Sequence, residues 1–415
     1  MQKKNNKNFD KKVYVEWGNA EAYKKVIRKI ENNIKNSNFN INIMAPSDMK
    51  TYPNVCVPLA ATFDWYREKG VVYNFKFPGK NYVKHTLFYK PLIVEEHLNS
   101  AEVKFALDKV WKYSSPEGVD ALVTGIVNAI READVLEAGN LTSVEWCLNE
   151  VMDNVLQHSQ AESGYVMGQL HKGQKRLSIC VLDMGVGIYN TLKCTKHAPR
   201  TPIDAITLAL QERVTRDERI GQGNGMWGLS SIIRESNGSV KILSNGAVYN
   251  FSKGEITTKD EQGLIIGKHK NVTMIDFQID YSKKLDVAKA LNGHELCDFW
   301  LENHELEDGE VLFKVKEDSA GTGTRTAAMK FKNIVLNTLK EKNQKIILDF
   351  EGVNVVSSSY ADELIGKLVM ERGFIYFMNH FQLSNLSSNN VGVINRSVEQ
   401  RMGHIYYSTL LEENE

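Results

Sequence analysis

The chain has 415 residues, more than one domain ordinarily holds, and 42% of them are hydrophobic, which suits two or three packed cores and excludes wholesale disorder. Lys plus Arg and Asp plus Glu balance at 51 each, so no global basic field draws the protein to nucleic acid or an anionic membrane. The basic opening "MQKKNNKNFDKK" is followed by no apolar leader core, no stretch reaches membrane-spanning length, and the five cysteines (Cys56, Cys147, Cys180, Cys194, Cys297) form no C-x-x-C pair. A cytoplasmic protein with reduced, mostly buried thiols and no membrane partner is expected.

In chain order, Ala22 to Ile34 has helical periodicity, Phe39 to Pro46 alternates as a strand, Val55 to Gly70 reads as a helix with a glycine stop, and Val71 to Phe77 as a second strand. Residues 1–100 therefore predict a small α/β module. A helical block is expected from about Ala101 to Ala138. "EAGNLTS" then serves as stop signal and cap, with Thr142 or Ser143 accepting from a free amide of the next helix. That helix, "VEWCLNEVMDNVLQHS" (Val144 to Ser159), buries Val144, Leu148, Val151 and Val155 on one stripe, yet carries Glu150 and Asn154 close beside it. "RLSICVLDMGVGI" (Arg176 to Ile188) is a strand running into glycines. "GQGNGMWGLSSIIRESNGSVKILS" (Gly221 to Ser244) is a glycine-rich loop, helix, turn and strand. Charge density rises near Asn292 to Glu310, which marks 286–310 as a linker. Beyond it, Gln344 to Val353 is a strand and Ser358 to Met370 a capped helix with Ala361, Leu364, Ile365 and Leu368 inward.

Three segments in order carry residues suited to a nucleotide. Asn154 can ligate magnesium through its amide oxygen, since that hard cation prefers oxygen ligands beside substrate phosphates. Glu150, one turn earlier, can orient or deprotonate a water or hydroxyl. Asp183, at a strand end, can accept from an adenine amino group, and Gly185 and Gly187 let backbone pass where a Cβ would clash. Gly221, Gly223, Gly225 and Gly228 expose amides ahead of a helix whose positive end suits phosphate. Each signal alone has a plainer reading: an exposed helix flank, a turn glycine, a capping aspartate.

The ordered combination resembles the GHKL superfamily of ATPases and kinases, with Val144 to Ser159 similar to its N box, Asp183 to Ile188 to its first glycine box and Gly221 to Leu229 to its second. The resemblance implies an α/β (α+β) fold: a Bergerat-type two-layer sandwich with a mixed sheet over 101–285, binding ATP and Mg2+. It implies Glu150 as catalytic base, Asn154 as the magnesium ligand, and nucleotide contacts from Asp183, Gly185, Gly187, Ile188, Gly221, Gly223, Gly225, Gly228, Leu229 and Thr273. Residues Tyr189 to Ile220 would form a lid, from which Arg213, Arg216 or Arg219 can reach a phosphate. Two departures stand out. Met226 or Leu229 follows the second-box glycines, and the late strand reads "NVTMIDF" in place of the usual Gly-Thr pair, leaving Thr273 as the polar contact.

"LDFEGV", "ADEL" and "INRSVEQR" within 311–415 resemble a STAS-like bacterial domain of unknown function, akin to anti-anti-sigma factors in which a serine at the start of this helix is phosphorylated by a GHKL kinase. Ser357, Ser358 and Ser359 are candidate acceptors; alternatively Ser359 caps the helix and Asp362 completes a capping box. The N-terminal module is a candidate for a degenerate STAS-like fold, so small STAS-like modules would flank the ATP-binding domain. These resemblances imply a partner-switch signalling protein with a protein partner or homodimer, either a serine kinase or an ATP-hydrolysing switch; ATP as a purely structural ligand is disfavoured by Glu150. The two "HEL" sequences at His294 and His304 lack H-E-x-x-H spacing and read as solvated segments.

Overall fold

The computed structural model describes residues 12–14, 22–45, 51–77, 82–212, 214, 225–260, 266, 271–291, 304–306 and 309–412. The chain forms two units: Met1–Ile126, Val144–Tyr281 and Asp286–His294 make the first, and Val127–Ser143, Ser282–Leu285 and Glu295–Glu415 the second. The fold is mixed α/β.

Unit 1 opens with β1 (Lys12–Tyr14), α1 (Ala22–Lys35), β2 (Asn40–Met44), α2 (Pro53–Arg67) and β3 (Val72–Lys76), whose strands form a parallel sheet in the order β1-β2-β3. Next come β4 (Leu92–Ile93), β5 (Trp111–Tyr113), α3 (Pro116–Ala133), α4 (Asn140–His158), β6 (Gly164–His171), β7 (Arg176–Asp183), α5 (Gly187–Leu192), α6 (Pro202–Ala209), α7 (Gly225–Glu235), β8 (Ser239–Ser244), β9 (Ala247–Ser252), β10 (Glu255–Lys259) and β11 (Thr273–Asp280). Their strands make one sheet in the order β10-β9-β8-β11-β7-β6-β5-β4, antiparallel except for the β4–β5 pair.

The expected boundary near residue 100 is not a boundary between units. The reason is α2: its buried Val57, Leu59, Ala60 and Phe63 belong to one apolar core with Tyr165 and Met167 of β6, Cys180 and Leu182 of β7, Leu243 of β8 and Met274 of β11. The N-terminal module thus covers one face of the large sheet over β6, β7, β11 and part of β8 and β9. Because strand side chains alternate, Gly164, Gly168, Ile179, Asp183 and Thr273 project to the other face. There Ile126 of α3 stands over Gly168, and α7 packs on β8 and β11.

Unit 2 contains β12 (Val311–Lys314), α8 (Arg325–Lys342), β13 (Ile346–Asp349), α9, β14 (Phe381–Ser384) and α10 (Ser388–Glu412). α9 runs from Ser358–Ala361 through a π turn at Asp362–Gly366 to Lys367–Arg372. The strands are parallel in the order β12-β13-β14 around a core that includes Phe313, Phe331, Leu348, Tyr360, Leu364, Ile365 and Leu368. Both three-stranded sheets therefore follow one topology, with parallel strands in chain order joined through helices.

The helical block expected over Ala101 to Ala138 is broken: a short helix Ala101–Lys104 is followed by β5, whose Trp111 and Tyr113 are fully buried. Aromatic alternation in a three-residue strand is too brief to register as period two. Neither Thr142 nor Ser143 caps the next helix, because α4 already starts at Asn140; the Ser143 hydroxyl donates back to the Gly139 carbonyl at 2.6 Å.

Residues 127–143 belong to unit 2, tied to α8 by Lys330, Asn333, Lys340 and Glu341 and most closely by Asn337. Its Oδ1 accepts from Leu136 N at 2.7 Å, and its Nδ2 donates to the carbonyls of Arg131 at 3.0 Å and Asp134 at 2.9 Å, all with the residue 2% exposed. Asn337→Ala strands two buried backbone groups and a partly buried third, and a loss of about 2–4 kcal/mol in urea unfolding is expected. A loss below about 0.5 kcal/mol would mean that water or a neighbour replaces the amide.

Candidate functional site

The site is built where β7 and β11 end together. Asp183 closes β7 and pairs in register with Thr273, the first residue of β11. Asp183 is 4% exposed, and its Oδ1 accepts from Gly185 N at 2.8 Å. Burial pushes its pKa up to about 7, a shift the Gly185 amide opposes. On its other side Asp183 pairs with Gly164 of β6, whose missing side chain admits the ring of buried Tyr113.

The glycines after Asp183 are required by close approach. A Cβ on Gly185 would collide with the Ser159 carbonyl at the end of α4, which also accepts from Val186 N at 2.7 Å. Gly187 has φ +78° and lies against the Asn245 side chain. Asn245 and Gly246, both at positive φ, form the two-residue turn between β8 and β9, and the Asn245 side chain clamps the glycine loop. Its Oδ1 accepts from Tyr189 N at 2.9 Å, and its Nδ2 donates to the carbonyl of Val186 and the Oδ1 of Asn271, both at 3.1 Å. Ile188 N donates to the Ser244 hydroxyl at 2.9 Å, which lies 3.1 Å from Thr273 Oγ1. The loop is thereby tied to both strand ends.

α4 contributes the third wall. Val144, Leu148, Val151 and Val155 are buried as expected, while Glu150 and Asn154 are half-buried. Glu150 Oε2 fills the space where a Cβ on Gly225 would stand, so the carboxylate lies against the first residue of α7. Gly228, one turn on, accommodates the Trp146 ring of α4, and Leu229 is fully buried. Burial, and after it the neighbouring Asp153 carboxylate, raises the Glu150 pKa. The Asn154 Nδ2 is buried without a hydrogen-bond partner, a donor group lacking an acceptor.

Of the expected site residues, Glu150, Gly225 and Gly228 thus meet at the α4–α7 contact, Leu229 is buried on α7, and Asp183, Gly185, Gly187, Ile188 and Thr273 meet at the β7–β11 end. Gly221 and Gly223, and the arginines at 213, 216 and 219, lie outside the described residues, as do His294 and Cys297. Of the expected lid, 189–212 contains the end of α5 and all of α6, whose capping box is made by Thr201 and Asp204. Sequence reasoning passed over Ser159, Ser244 and Asn245. The last had a readable signal, an Asn-Gly pair between two alternating segments.

At the C-terminal serines one reading is corrected. Ser357, and not Ser359, caps α9: its Oγ accepts from Tyr360 N at 3.1 Å. The helix starts two residues earlier than a cap at 359 allows. Asp362 closes no capping box; it receives Arg401 in a two-pronged pair at 2.6 and 2.7 Å, and the guanidinium holds its carboxyl below the usual range. "ADEL" and "INRSVEQR" are thus joined in space. Ser359 lies 3.1 Å from Ser357 Oγ, and Ser358, at the first helical position, is exposed.

Among the described residues no group of three His, Cys, Asp or Glu is placed to hold a metal, and no helix is long and apolar enough to cross a membrane. Cys56, Cys147, Cys180 and Cys194 are free thiols, the first three buried.

Residues 327–391 match the family described as a STAS-like domain of unknown function (DUF4325). The match covers α8, β13, α9, β14 and the start of α10. No curated protein matches the chain.

The raised pKa of Asp183 sets a pH dependence. Folded Asp183 keeps its proton up to about pH 7, whereas an unfolded aspartate releases it near pH ~4. Within that window the folded state binds the extra proton, so this group's contribution is most favourable at low pH and declines as pH rises to about 7. Asp183→Asn removes the decline. The variant is expected to gain stability relative to wild type as urea unfolding is moved from pH 5 to pH 8; a constant difference would show that Asp183 titrates normally.

Proposed function

We propose that unit 1 binds Mg-ATP in the manner of the GHKL superfamily and that the protein is a nucleotide-dependent partner switch acting on serine. The observation that carries the reading is the convergence on one sheet face of a buried strand-end carboxylate, a glycine loop pressed against α4, and a glycine helix start pressed against Glu150. Such a constellation offers a hydrogen-bond acceptor for a base, backbone free of Cβ groups beside it, and a helix N-terminus for anionic oxygens. The residues also fit the group chemically: the buried Asn154 amide has a donor without an acceptor, which a phosphate oxygen would satisfy, while its oxygen would serve magnesium.

In this reading Asp183 accepts from the adenine amino group and Thr273 adds a polar contact. Gly185, Gly187 and Ile188 carry the backbone past base and sugar. Gly221, Gly223, Gly225 and Gly228 are assigned to the phosphates, and Leu229 packs the helix behind them. Bound magnesium would neutralise phosphate charge and orient the transferring group. Glu150 is assigned as the base, and burial supports the role by bringing its pKa closer to neutrality.

Among the three serines the geometry favours Ser358 as acceptor. Ser357 is engaged as cap and Ser359 is bonded to it, whereas Ser358 is exposed at the first turn of α9, where a phosphate meets the helix's positive end. The proposed partner is a separate protein or a second copy of the chain, and the proposed compartment is the cytoplasm.

Purified protein incubated with γ-labelled ATP and magnesium tests the reading. Binding of ATP by wild type at pH 8, above the Asp183 pKa of about 7, is expected, weakened at least about tenfold by Asp183→Asn, which removes one charge-assisted acceptor. Glu150→Ala is expected to retain binding within about threefold while losing turnover by about 10²–10⁴. Label held on protein and lost in Ser358→Ala supports the kinase form. Free phosphate with no protein label makes water the acceptor, and absence of ATP binding sinks the proposal.

A further inference from the structure

Unit 1 holds a second polar concavity on the sheet face opposite Asp183. Alternation along β7 and β11 sends Arg176, Ser178 and Asp276 toward the face that α2 covers, at the end of the sheet where α2 begins. There Tyr52 and Asn54 close a pocket of about 270 Å³ over these strands, with His171 of β6 at its edge. The volume falls at or just under the lower end of the range for small-molecule sites, room for a compact metabolite and too little for a nucleotide.

The lining is chemically two-sided. Asp276 is 9% exposed; its Oδ2 accepts from Asn54 Nδ2 at 3.0 Å. Burial raises its pKa to about 6, against the Asn54 bond and the attraction of Lys241. Lys241 stands opposite it in the β8–β11 register, yet among the described residues makes no ion pair with it. Arg176, also lining the pocket, has no ion pair among the described residues and presents a guanidinium suited to two-pronged capture of a carboxylate. Ser178 is 6% exposed and offers a hydroxyl, and the Tyr52 and His171 rings lie 6.0 Å apart at the rim.

A purely anionic ligand would face the buried Asp276 charge, and a purely cationic one would face Arg176. A small molecule bearing both charges satisfies each. We propose that this pocket binds a free α-amino acid, its carboxylate on Arg176 and its ammonium on Asp276. The inference does not depend on nucleotide binding, since the pocket and the Asp183 site occupy opposite faces of the sheet.

Isothermal titration of the full chain, without nucleotide, against each of the twenty common amino acids at neutral pH tests it. At least one is expected to bind with Kd below about 1 mM, a modest affinity for so small a ligand. Arg176→Gln is expected to weaken that ligand at least tenfold. Asp276→Asn, which keeps the side chain's shape, should weaken it likewise while changing affinity for the deaminated analogue less than threefold. Absence of binding by all twenty, or equal affinity of wild type for an amino acid and its deaminated analogue, overturns the proposal. The analogue comparison uses wild type alone, so it decides the matter even where a variant fails to fold.

Discussion

The eight-residue antiparallel pairing of β7 with β11 is the constraint on which unit 1 depends. In its register Asp183 faces Thr273 at one end and Arg176 faces Asp280 at the other. A slip of one residue would send every side chain of a strand to the wrong face. A slip of β7 would point Asp183 into the apolar core under α2, and a slip of β11 would point Met274 away from it. The register is held from both sides: by the apolar contacts of α2 on one face, and by the Ser244–Thr273 and Ser244–Ile188 bonds on the other.

Two carboxylates on these strands are buried, Asp183 toward α4 and Asp276 toward α2, and burial raises the pKa of both. Each is a local cost in stability, since desolvating a carboxylate disfavours its charged form. Each also has a single protein hydrogen bond described here, from Gly185 N in one case and Asn54 in the other. A fold selected for stability alone has no use for either group, and the two stand on opposite faces of one strand pair.

The sequence made the repeating elements legible and the singular contacts illegible. α1, β2, β3 and β13 follow from periods of 3.6 and 2, and the inward positions of α4 and α9 were read correctly because an apolar stripe is redundant over many residues. β5 was hidden by its length. The true cap of α9 was missed because three consecutive serines satisfy the same local rule, and only Tyr360's amide distinguishes Ser357. Asn337 and Asn245 act over long sequence separations on backbone groups, and no periodicity announces that kind of bond. The glycine segments lay between these cases: their spacing was visible, but the Ser159 carbonyl, the Glu150 carboxylate and the Trp146 ring that exclude a Cβ were not. The join between the N-terminal module and the large sheet was likewise unreadable, since the apolar run in α2 does not say which surface it covers.

The shared topology of the two three-stranded sheets has a consequence of its own. In each, a helix leads from the middle strand toward the third: α2 between β2 and β3, α9 between β13 and β14. α9 opens with serines at its cap and first turn, whereas α2 opens with Tyr52, Pro53 and Asn54 and buries its length against a neighbouring sheet. One architectural theme thus appears twice in one polypeptide with different surroundings: in one the helix start leaves a serine hydroxyl open to solvent, and in the other the helix is masonry, walled in along its length.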